Sequence, residues 1–245
     1  MSRLLVINPN TSESISLLVN RHVQAATGPD VEVQTVTARF GAPYIACEAS
    51  YAVAGHATLD AWAAAVPPGQ PGPDAVLIAC FGDPGLFALR ETSLVPVTGL
   101  AQAAFEEASA LGRFAVVTGG ARWEPMLQRL AHALGVGQDL AGIQTVALTG
   151  AQIAADPQAA KSLLIDACRD AAQKFSAQAI VLGGAGLAGL VEHIAPHVPV
   201  PVIDSVQAGT RQALRVSAPV HPAATGRFDV AWYKVSAELS AAGRP

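Results

Sequence analysis

The sequence predicts an α/β fold made of two pseudo-symmetric halves, each a parallel sheet flanked by helices. Two observations support this fold class. Short apolar runs rich in Val, Ile and Leu recur along the chain, each followed by small polar or glycine residues and then a helical pattern. The same order of strands, helices and a glycine-rich turn also occurs twice. Since such strands form parallel sheets covered on both faces, we expect two sheets with the active site in the cleft between them.

Eight apolar segments are predicted as strands, and they divide equally between the halves. We place the N-terminal half at residues 1–98 plus 206–245 and the C-terminal half at 99–205. The strand segments are 3–9, 30–38, 74–80, 95–100, 113–118, 143–148, 179–184 and 200–205.

Helical patterns fill the intervals between these strands. In the fifth helix, Leu164, Cys168 and Ala172 repeat every four residues on one face, which predicts Cys168 as a core residue. The last helix is expected to return the chain to the N-terminal half. The helical segments are 14–26, 51–66, 99–111, 124–134, 158–175 and 205–218.

The internal repeat sets Cys80, in "LIACFGDPGL", against Gly184, in "VLGGAGLAGL". The same alignment brings "VPV" at 95–97 near "VPV" at 198–200, and "LLVINPNTS" opposite "FAVVTGGAR". The two glycine-rich turns are therefore predicted to occupy equivalent places in the two halves.

The composition excludes several classes of function. The 245 residues are 51% hydrophobic and 14% charged, which is typical of a chain with a sizeable core and not of a disordered one. A net charge of −4 without long charge runs argues against nucleic-acid binding. No apolar run approaches the roughly 18 residues of a membrane span, and the start of the chain lacks a signal-peptide pattern. We expect a cytoplasmic protein, and its alanine-rich helices leave room for a homo-oligomer, either a helix-mediated dimer or a larger ring.

The three cysteines, Cys47, Cys80 and Cys168, are too few and too scattered for a disulfide framework. The chain also lacks Cys-x-x-Cys and His-x-x-x-His spacings and a phosphate-binding loop. We therefore expect no metal site and no nucleotide cofactor.

Cys80 lies at the end of a predicted buried strand, where open α/β sheets place functional groups. Gly82 and Gly85 allow a ligand to approach the backbone closely, and Pro84 suits a first helical residue. The N–H groups of a helix start at this point would lower the thiol pKa. The alternative is a small core residue, since free cysteines are commonly buried.

The stretch "NPNTS" at 8–12 follows the first strand and opens a helix. Its side chains offer donors beside unpaired helix N–H groups, which suits a carboxylate, an amide carbonyl or an enolate. The alternative is that these residues only cap the helix. Thr118, Gly119 and Gly120 occupy the equivalent strand end of the second half. The donors of the first half are Asn8, Asn10, Thr11 and Ser12.

Two further segments have less specific patterns. Residues 41–51 are predicted as a loop suited to a lid or a specificity segment, in which Tyr44 shapes the substrate site. Cys47 and Glu48 could be chemical, but their place in the loop favours a packing role. Asp83 could serve as a general base, but its place before Pro84 favours a helix cap.

Three stretches together resemble the hydantoin racemase family of the aspartate/glutamate racemase superfamily, to which allantoin racemases also belong. They are "VINPNTS", "ACFGDPGL" and "VLGGAGL", and the resemblance runs from Leu4 to about Gly209. The resemblance implies a racemase that acts on a small molecule without a cofactor. In that family two cysteines, one from each half, face opposite sides of the stereogenic carbon. One thiolate removes the α-proton and the other thiol returns a proton to the opposite face.

Cys80 matches the first family cysteine, but the second motif, Leu-Gly-Cys-Ala-Gly, matches residues 182–186 except that Gly184 stands at the cysteine position. A single thiol can exchange a proton on one face but cannot readily invert the centre, so only water or a neighbour such as His193 could substitute. The residues that the resemblance implies for substrate binding are Asn8, Asn10, Thr11, Ser12, Tyr44, Phe81, Gly82, Thr118, Gly119, Ala185 and Gly186.

Three explanations of Gly184 stay open. The chain is an engineered racemase variant, or a natural relative that needs only one thiol, or a homologue that binds its ligand without catalysis. The second explanation resembles arylmalonate decarboxylases of the same superfamily, in which one cysteine protonates the enediolate left by loss of carbon dioxide. There the surviving cysteine is in the second half, whereas Cys80 is in the first.

Overall fold

The computed structural model describes residues 2–67, 69–147, 157–215 and 224–243. The chain falls into two compact units, Met1–Gly99 with Thr210–Pro245, and Leu100–Gly209. Each unit has one four-stranded sheet in which every neighbouring pair of strands is parallel. The predicted α/β fold class is confirmed.

The first sheet has the strand order β2-β1-β3-β4. The central strands are continuously apolar because helices cover both of their faces, and Leu4–Ile7 and Ala75–Ile78 are buried throughout. Its strands are β1 (Ser2–Asn8), β2 (Val31–Thr37), β3 (Ala75–Ile78) and β4 (Val97–Gly99), and its helices are α1 (Glu13–Thr27), α2 (Glu48–Ala65), α3 (Leu86–Thr92) and the late α9 (Ala237–Ala241).

The second sheet repeats this order as β6-β5-β7-β8. Helix α4 packs against β7 and β8, and α6 packs against β5, β6 and β7. The strands are β5 (Phe114–Gly119), β6 (Leu140–Val146), β7 (Ala179–Gly183) and β8 (Val202–Asp204), and the helices are α4 (Leu100–Ser109), α5 (Trp123–Ala133), α6 (Pro157–Lys174), α7 (Val191–Ile194) and α8 (Ser205–Arg215).

Every predicted strand and helix segment overlaps an observed element, and residues 216–218 of the last predicted helix lie outside the described residues. The alignment of the two "VPV" stretches was wrong. Val76 pairs with Val97 and donates to Pro96 O, while Ile180 pairs with Val202 and donates to Pro201 O. The equivalent of 95–97 is therefore 200–202, since the chain reads "VPVPV" there and offers two registers.

The predicted loop at 41–51 ends earlier than expected. Helix α2 begins at Glu48, and Cys47 is its N-cap residue. Ser50 Oγ accepts a hydrogen bond from Cys47 N at 3.0 Å, which completes a reciprocal cap with the Cys47 side chain. A cysteine replaces the usual Ser or Thr of this cap, which is why the sequence pattern missed the helix start.

Helix α2 is also fixed by the C-terminal segment of the chain. Arg39 donates to both carboxylate oxygens of Asp60, each at 2.9 Å, and to Glu238 Oε1 at 2.8 Å. Asp60 is buried, and an unpaired buried carboxylate would destabilise the fold. The bidentate ion pair with Arg39 offsets this cost. Trp62 meets the edge of Phe228 at 5.6 Å between ring centroids. These contacts hold in place the helix that supports the turn after β3.

In the part of the chain that the structure describes, every helix is too short or too polar to span a membrane.

Cys168 packs in the core of the second unit with Leu164 and Ala172, as the helical spacing predicted. Burial raises the pKa of this thiol from 9.0 to about 12. Because the folded-state pKa exceeds the unfolded value, the thiol adds stability below about pH 9 that is lost as pH rises toward 12.

We expect Cys168→Ala to lower the free energy of unfolding by about 1 kcal/mol at pH 7, through loss of a packed sulfur. The cost should shrink at pH 10, because the variant has no thiol to ionise on unfolding. Urea unfolding at both pH values checks this. An equal cost at both would contradict the assigned titration.

Candidate active site

Cys80 lies just beyond the carboxyl end of β3. Ala79 N still donates to Ile7 O at 2.8 Å, so the ladder with β1 continues to the residue before the thiol. Cys80 is only 7% exposed, and Phe81 beside it is buried as well. The thiol thus lies at the carboxyl end of the sheet but is buried, so a reacting group there can be shielded from water.

The turn after Cys80 has an unusual backbone. Gly82, Asp83 and Gly85 all have positive φ, at 131°, 54° and 86°. Asp83 N donates to Cys80 O at 3.0 Å, which closes the turn. A positive φ is rare for a residue other than glycine, so Asp83 is held there by its surroundings.

Two predictions about this turn were wrong. Pro84 does not begin the helix and Asp83 does not cap it, because α3 begins at Leu86 with Gly85 at the N-cap position. Gly85 adopts the left-handed conformation, which interrupts the helix geometry immediately before Leu86. The Asp83 side chain instead lies against Gly99 at the end of β4.

Helix α2 supports the turn through two hydroxyl groups that sequence reasoning missed. Tyr51 Oη donates to Gly82 O at 2.8 Å, and the buried Thr58 Oγ1 lies 2.9 Å from Pro84 O. A Cβ on Gly85 would be 3.1 Å from Thr58 Cβ and 3.2 Å from Gly55 O. The glycine therefore allows the turn and the helix to approach closely, and only the spacing of small residues in α2 hinted at this contact.

Burial raises the pKa of Cys80 above its ordinary value, and the nearby Asp83 carboxylate raises it further. The prediction of a lowered thiol pKa was therefore wrong. Its premise fails because the helix starts only at Leu86, six residues after the thiol, and because burial and the Asp83 charge both disfavour the thiolate. A raised pKa favours the neutral thiol form of Cys80 at neutral pH.

At the end of β1, the Asn8 side chain is fully buried and serves the local structure. Its Nδ2 lies within hydrogen-bond distance of Asn10 Oδ1, Ser12 O and Ser16 Oγ, at 3.0, 3.1 and 2.9 Å. Its Oδ1 accepts from Asn10 N at 3.2 Å. Asn8 therefore fixes the shape of this turn, while the side chains that follow it offer the outward donors.

Ser12 is the N-cap residue of α1, as one alternative predicted, but its hydroxyl makes no capping hydrogen bond and meets Ser14 Oγ at 3.0 Å. Asn10 Oδ1 accepts from Ser12 N at 2.9 Å. Within the described residues, no hydrogen bond engages Asn10 Nδ2 or the Thr11 hydroxyl. These two donors are available to a polar ligand atom.

In the second unit, Thr118 and Gly119 end β5, and Gly184 directly follows β7. Val117 pairs with Leu182 as Ile7 pairs with Ile78, so Thr118 and Asn8 occupy equivalent places at the ends of their strands. Ala185 and Gly186 form a single 3₁₀ turn after Gly184.

Gly184 has φ 146° and ψ 130°, a conformation that side-chain-bearing residues rarely adopt. A Cβ built there would lie 3.4 Å from Leu187 Cγ, an ordinary contact distance. A side chain thus has space at this position, but the backbone would be strained by it. His193, the neighbour considered as a substitute proton donor, is exposed on the short helix α7.

Two residues where β8 meets α8 hold the Gly184 turn, and sequence reasoning missed both. Ser205 Oγ accepts from Gly184 N at 3.2 Å. Asp204 Oδ1 accepts from Val206 N at 2.8 Å, and Asp204 Oδ2 accepts from Gly189 N at 3.0 Å. The signal was an Asp-Ser pair before a helical pattern, which is typical of a helix cap.

The structure brings Cys80, Phe81 and Gly82 to the same sheet edge as the turn at 8–12, because β3 pairs directly with β1. It likewise places Thr118 and Gly119 beside residues 184–186 through the pairing of β5 with β7. Tyr44, in the segment after β2, is 46% exposed. Among the described residues, no group of three His, Cys, Asp or Glu side chains could bind a metal ion.

Comparison with known proteins identifies the class. The chain matches the Asp/Glu/hydantoin racemase family over residues 4–213. A hydantoin racemase of Pseudomonas sp. (strain NS671) is 32% identical over 213 residues, which cover 86% of this chain and 84% of that protein. An allantoin racemase from Klebsiella pneumoniae superposes with a TM-score of 0.80 at 32% identity, covering 87% of this chain and 86% of the other.

A second structure, allantoin racemase from Pseudomonas fluorescens, gives a TM-score of 0.83 at 28% identity and covers 93% of this chain and 99% of the other. The chain belongs to the Asp/Glu/hydantoin racemase family. It is an isomerase of the racemase type, as the sequence motifs predicted.

The Thr58 contact gives a prediction for the turn. Thr58→Val keeps the shape of the side chain but removes the hydroxyl that lies 2.9 Å from both Pro84 O and Ala54 O, which we expect to lower the free energy of unfolding by about 1–2 kcal/mol. Cys80 should then react faster with iodoacetamide, as measured by peptide mass spectrometry. Thr58→Ser retains the hydroxyl and is the control. Equal alkylation rates in the Val and Ser variants would contradict the assigned support.

Proposed function

We propose that this protein acts on hydantoin-like cyclic amides, allantoin included, by proton transfer at the α-carbon without a cofactor. The observation that carries the proposal is the covered Cys80 thiol at the same sheet edge as the donors of residues 8–12. The named hydantoin and allantoin racemases among its relatives support this substrate class.

Cys80 acts as the acid/base on one face of the substrate. Its thiolate takes the α-proton, and the electron pair of the broken C–H bond moves into the adjacent carbonyl to give an enolate. The Asn10 amide and the Thr11 hydroxyl hold the negative charge that develops on the carbonyl oxygen. Since the thiol is neutral in the free protein, only a small fraction is thiolate at pH 7, and the proton-transfer rate rises with pH.

Gly184 stands at the sequence position where the family motif has its second cysteine. Glycine has no titratable group, so the proton that completes an inversion comes from water or from a neighbour such as His193. Return of the proton by Cys80 to the original face is then faster than delivery to the other face. The protein should therefore exchange the α-proton more often than it inverts the centre.

The single thiol also favours a second candidate function, decarboxylation of malonate-type acids. Loss of carbon dioxide leaves an enediolate directly, so only one protonation is required and one thiol suffices. A non-catalytic ligand-binding protein is the third possibility, and it would show neither exchange nor carbon dioxide release.

We expect the protein to exchange the α-proton of an allantoin or hydantoin enantiomer in deuterated water with little loss of optical activity. Gly184→Cys should gain inversion, and Gly184→Ala is its matched control, because both carry the strain of a side chain at φ 146° and only one carries a thiol. In both variants the free energy of unfolding should be about 1–2 kcal/mol lower than in the unaltered protein. Proton NMR and optical rotation, followed together, measure both rates.

Cys80→Ala should abolish exchange, whereas Cys47→Ser should not alter it. If the unaltered protein exchanges no faster than buffer, the racemase proposal fails for these substrates. Release of carbon dioxide from an arylmalonate half-acid would then favour the decarboxylase, and saturable binding alone would favour the third possibility.

A further inference from the structure

In each unit a carboxylate connects the glycine-rich turn to the end of the neighbouring strand. In one unit this carboxylate belongs to the strand, and in the other it belongs to the turn. Ile78 pairs with Gly99 and Leu182 pairs with Asp204, so Gly99 and Asp204 occupy the same place at the end of the fourth strand. In the second unit, the strand-end Asp204 reaches across to Gly189 N in the turn. In the first unit, the carboxylate belongs to the turn and reaches the strand end.

Asp83 fills the place that a side chain at Gly99 would take. A Cβ built on Gly99 would overlap the Asp83 carboxylate. Asp83 is buried and has a positive φ of 54°. Gly99 itself has no positive φ, so its backbone requires no glycine. Its glycine is explained by the volume that the Asp83 carboxylate occupies.

We propose that Asp83 is the positioning residue of Cys80: it braces the turn that carries the thiol against the end of β4, as Asp204 braces the Gly184 turn. Its backbone takes part as well, because Asp83 N donates to Cys80 O. The role deepens the proposed function, since it depends on Cys80 as the acid/base.

The Asp83 carboxylate also affects the protonation of the Cys80 thiol. Among the described residues, Asp83 is the one charged group whose field acts on Cys80, and it opposes the thiolate. The same carboxylate that fixes the turn therefore favours the proton-donating form of Cys80. A residue with only a packing role would have no effect of this kind.

The role of the carboxylate can be tested by moving it from position 83 to position 99. Asp83→Ala removes the brace and opens the space at Gly99, and Asp83→Ala with Gly99→Asp moves the carboxylate to the strand end, as in the second unit. Gly99→Asp alone places two carboxylates in one volume. Asp83→Asn keeps the shape and removes the charge. All variants are made in a Cys47→Ser background, so that the alkylation signal of Cys80 is separated from that of the half-buried Cys47.

We expect Asp83→Ala to lower α-proton exchange by about tenfold or more and to lower the unfolding midpoint. The double variant should recover most of both losses. Asp83→Asn should move the pH midpoint of Cys80 alkylation down, because it removes the opposing charge. Gly99→Asp alone should lower the unfolding midpoint.

The proposal is overturned if the double variant is no better than Asp83→Ala, or if Asp83→Asn leaves the alkylation midpoint unchanged. Alkylation and unfolding need no substrate. If the parent protein shows no exchange, the proposed function fails, and these two measurements still decide whether Asp83 positions Cys80.

Discussion

The pairing of β1 with β3 is the constraint on which the candidate site depends. Both strands are apolar and buried along their length, so polar side chains can appear only where the strands end. Since the strands are parallel and Ile7 lies opposite Ile78, Asn8 and the residues after it emerge beside Cys80. The second sheet applies the same constraint to Thr118 and Gly184. The chemistry follows from strand direction and register more than from any single residue.

This constraint explains which parts could be predicted from sequence. Apolar runs and glycine-rich turns are local patterns, so the strands, the alternation of strands and helices along each half and the strand-end position of Cys80 could be predicted from them. The turn after Cys80 could not, because Tyr51 and Thr58 of α2 fix it from more than twenty residues away in the chain. The direction of the thiol pKa was missed for a similar reason: desolvation and the Asp83 field depend on tertiary packing.

The duplicated fold shows how the same mechanical need is met by different residues. Both turns must be tied to the strand beside them, since each contains glycines that would otherwise leave it mobile. One unit uses a carboxylate from the turn, and the other uses a carboxylate from the strand end. A sequence alignment of the halves hides this exchange, because Asp83 and Asp204 do not align. The structural register makes it visible.

The difference between the turns bears on the missing thiol. Cys80 has an ordinary φ, and the residues that follow it absorb the positive values, so the backbone at position 80 suits a side chain. Gly184 itself takes φ 146°, and Ser205 holds its N–H. The backbone of the second turn thus suits a glycine at position 184 and differs from the backbone at Cys80. This asymmetry means that the two turns are not interchangeable as positions for a thiol. A side chain introduced at position 184 must therefore overcome backbone strain.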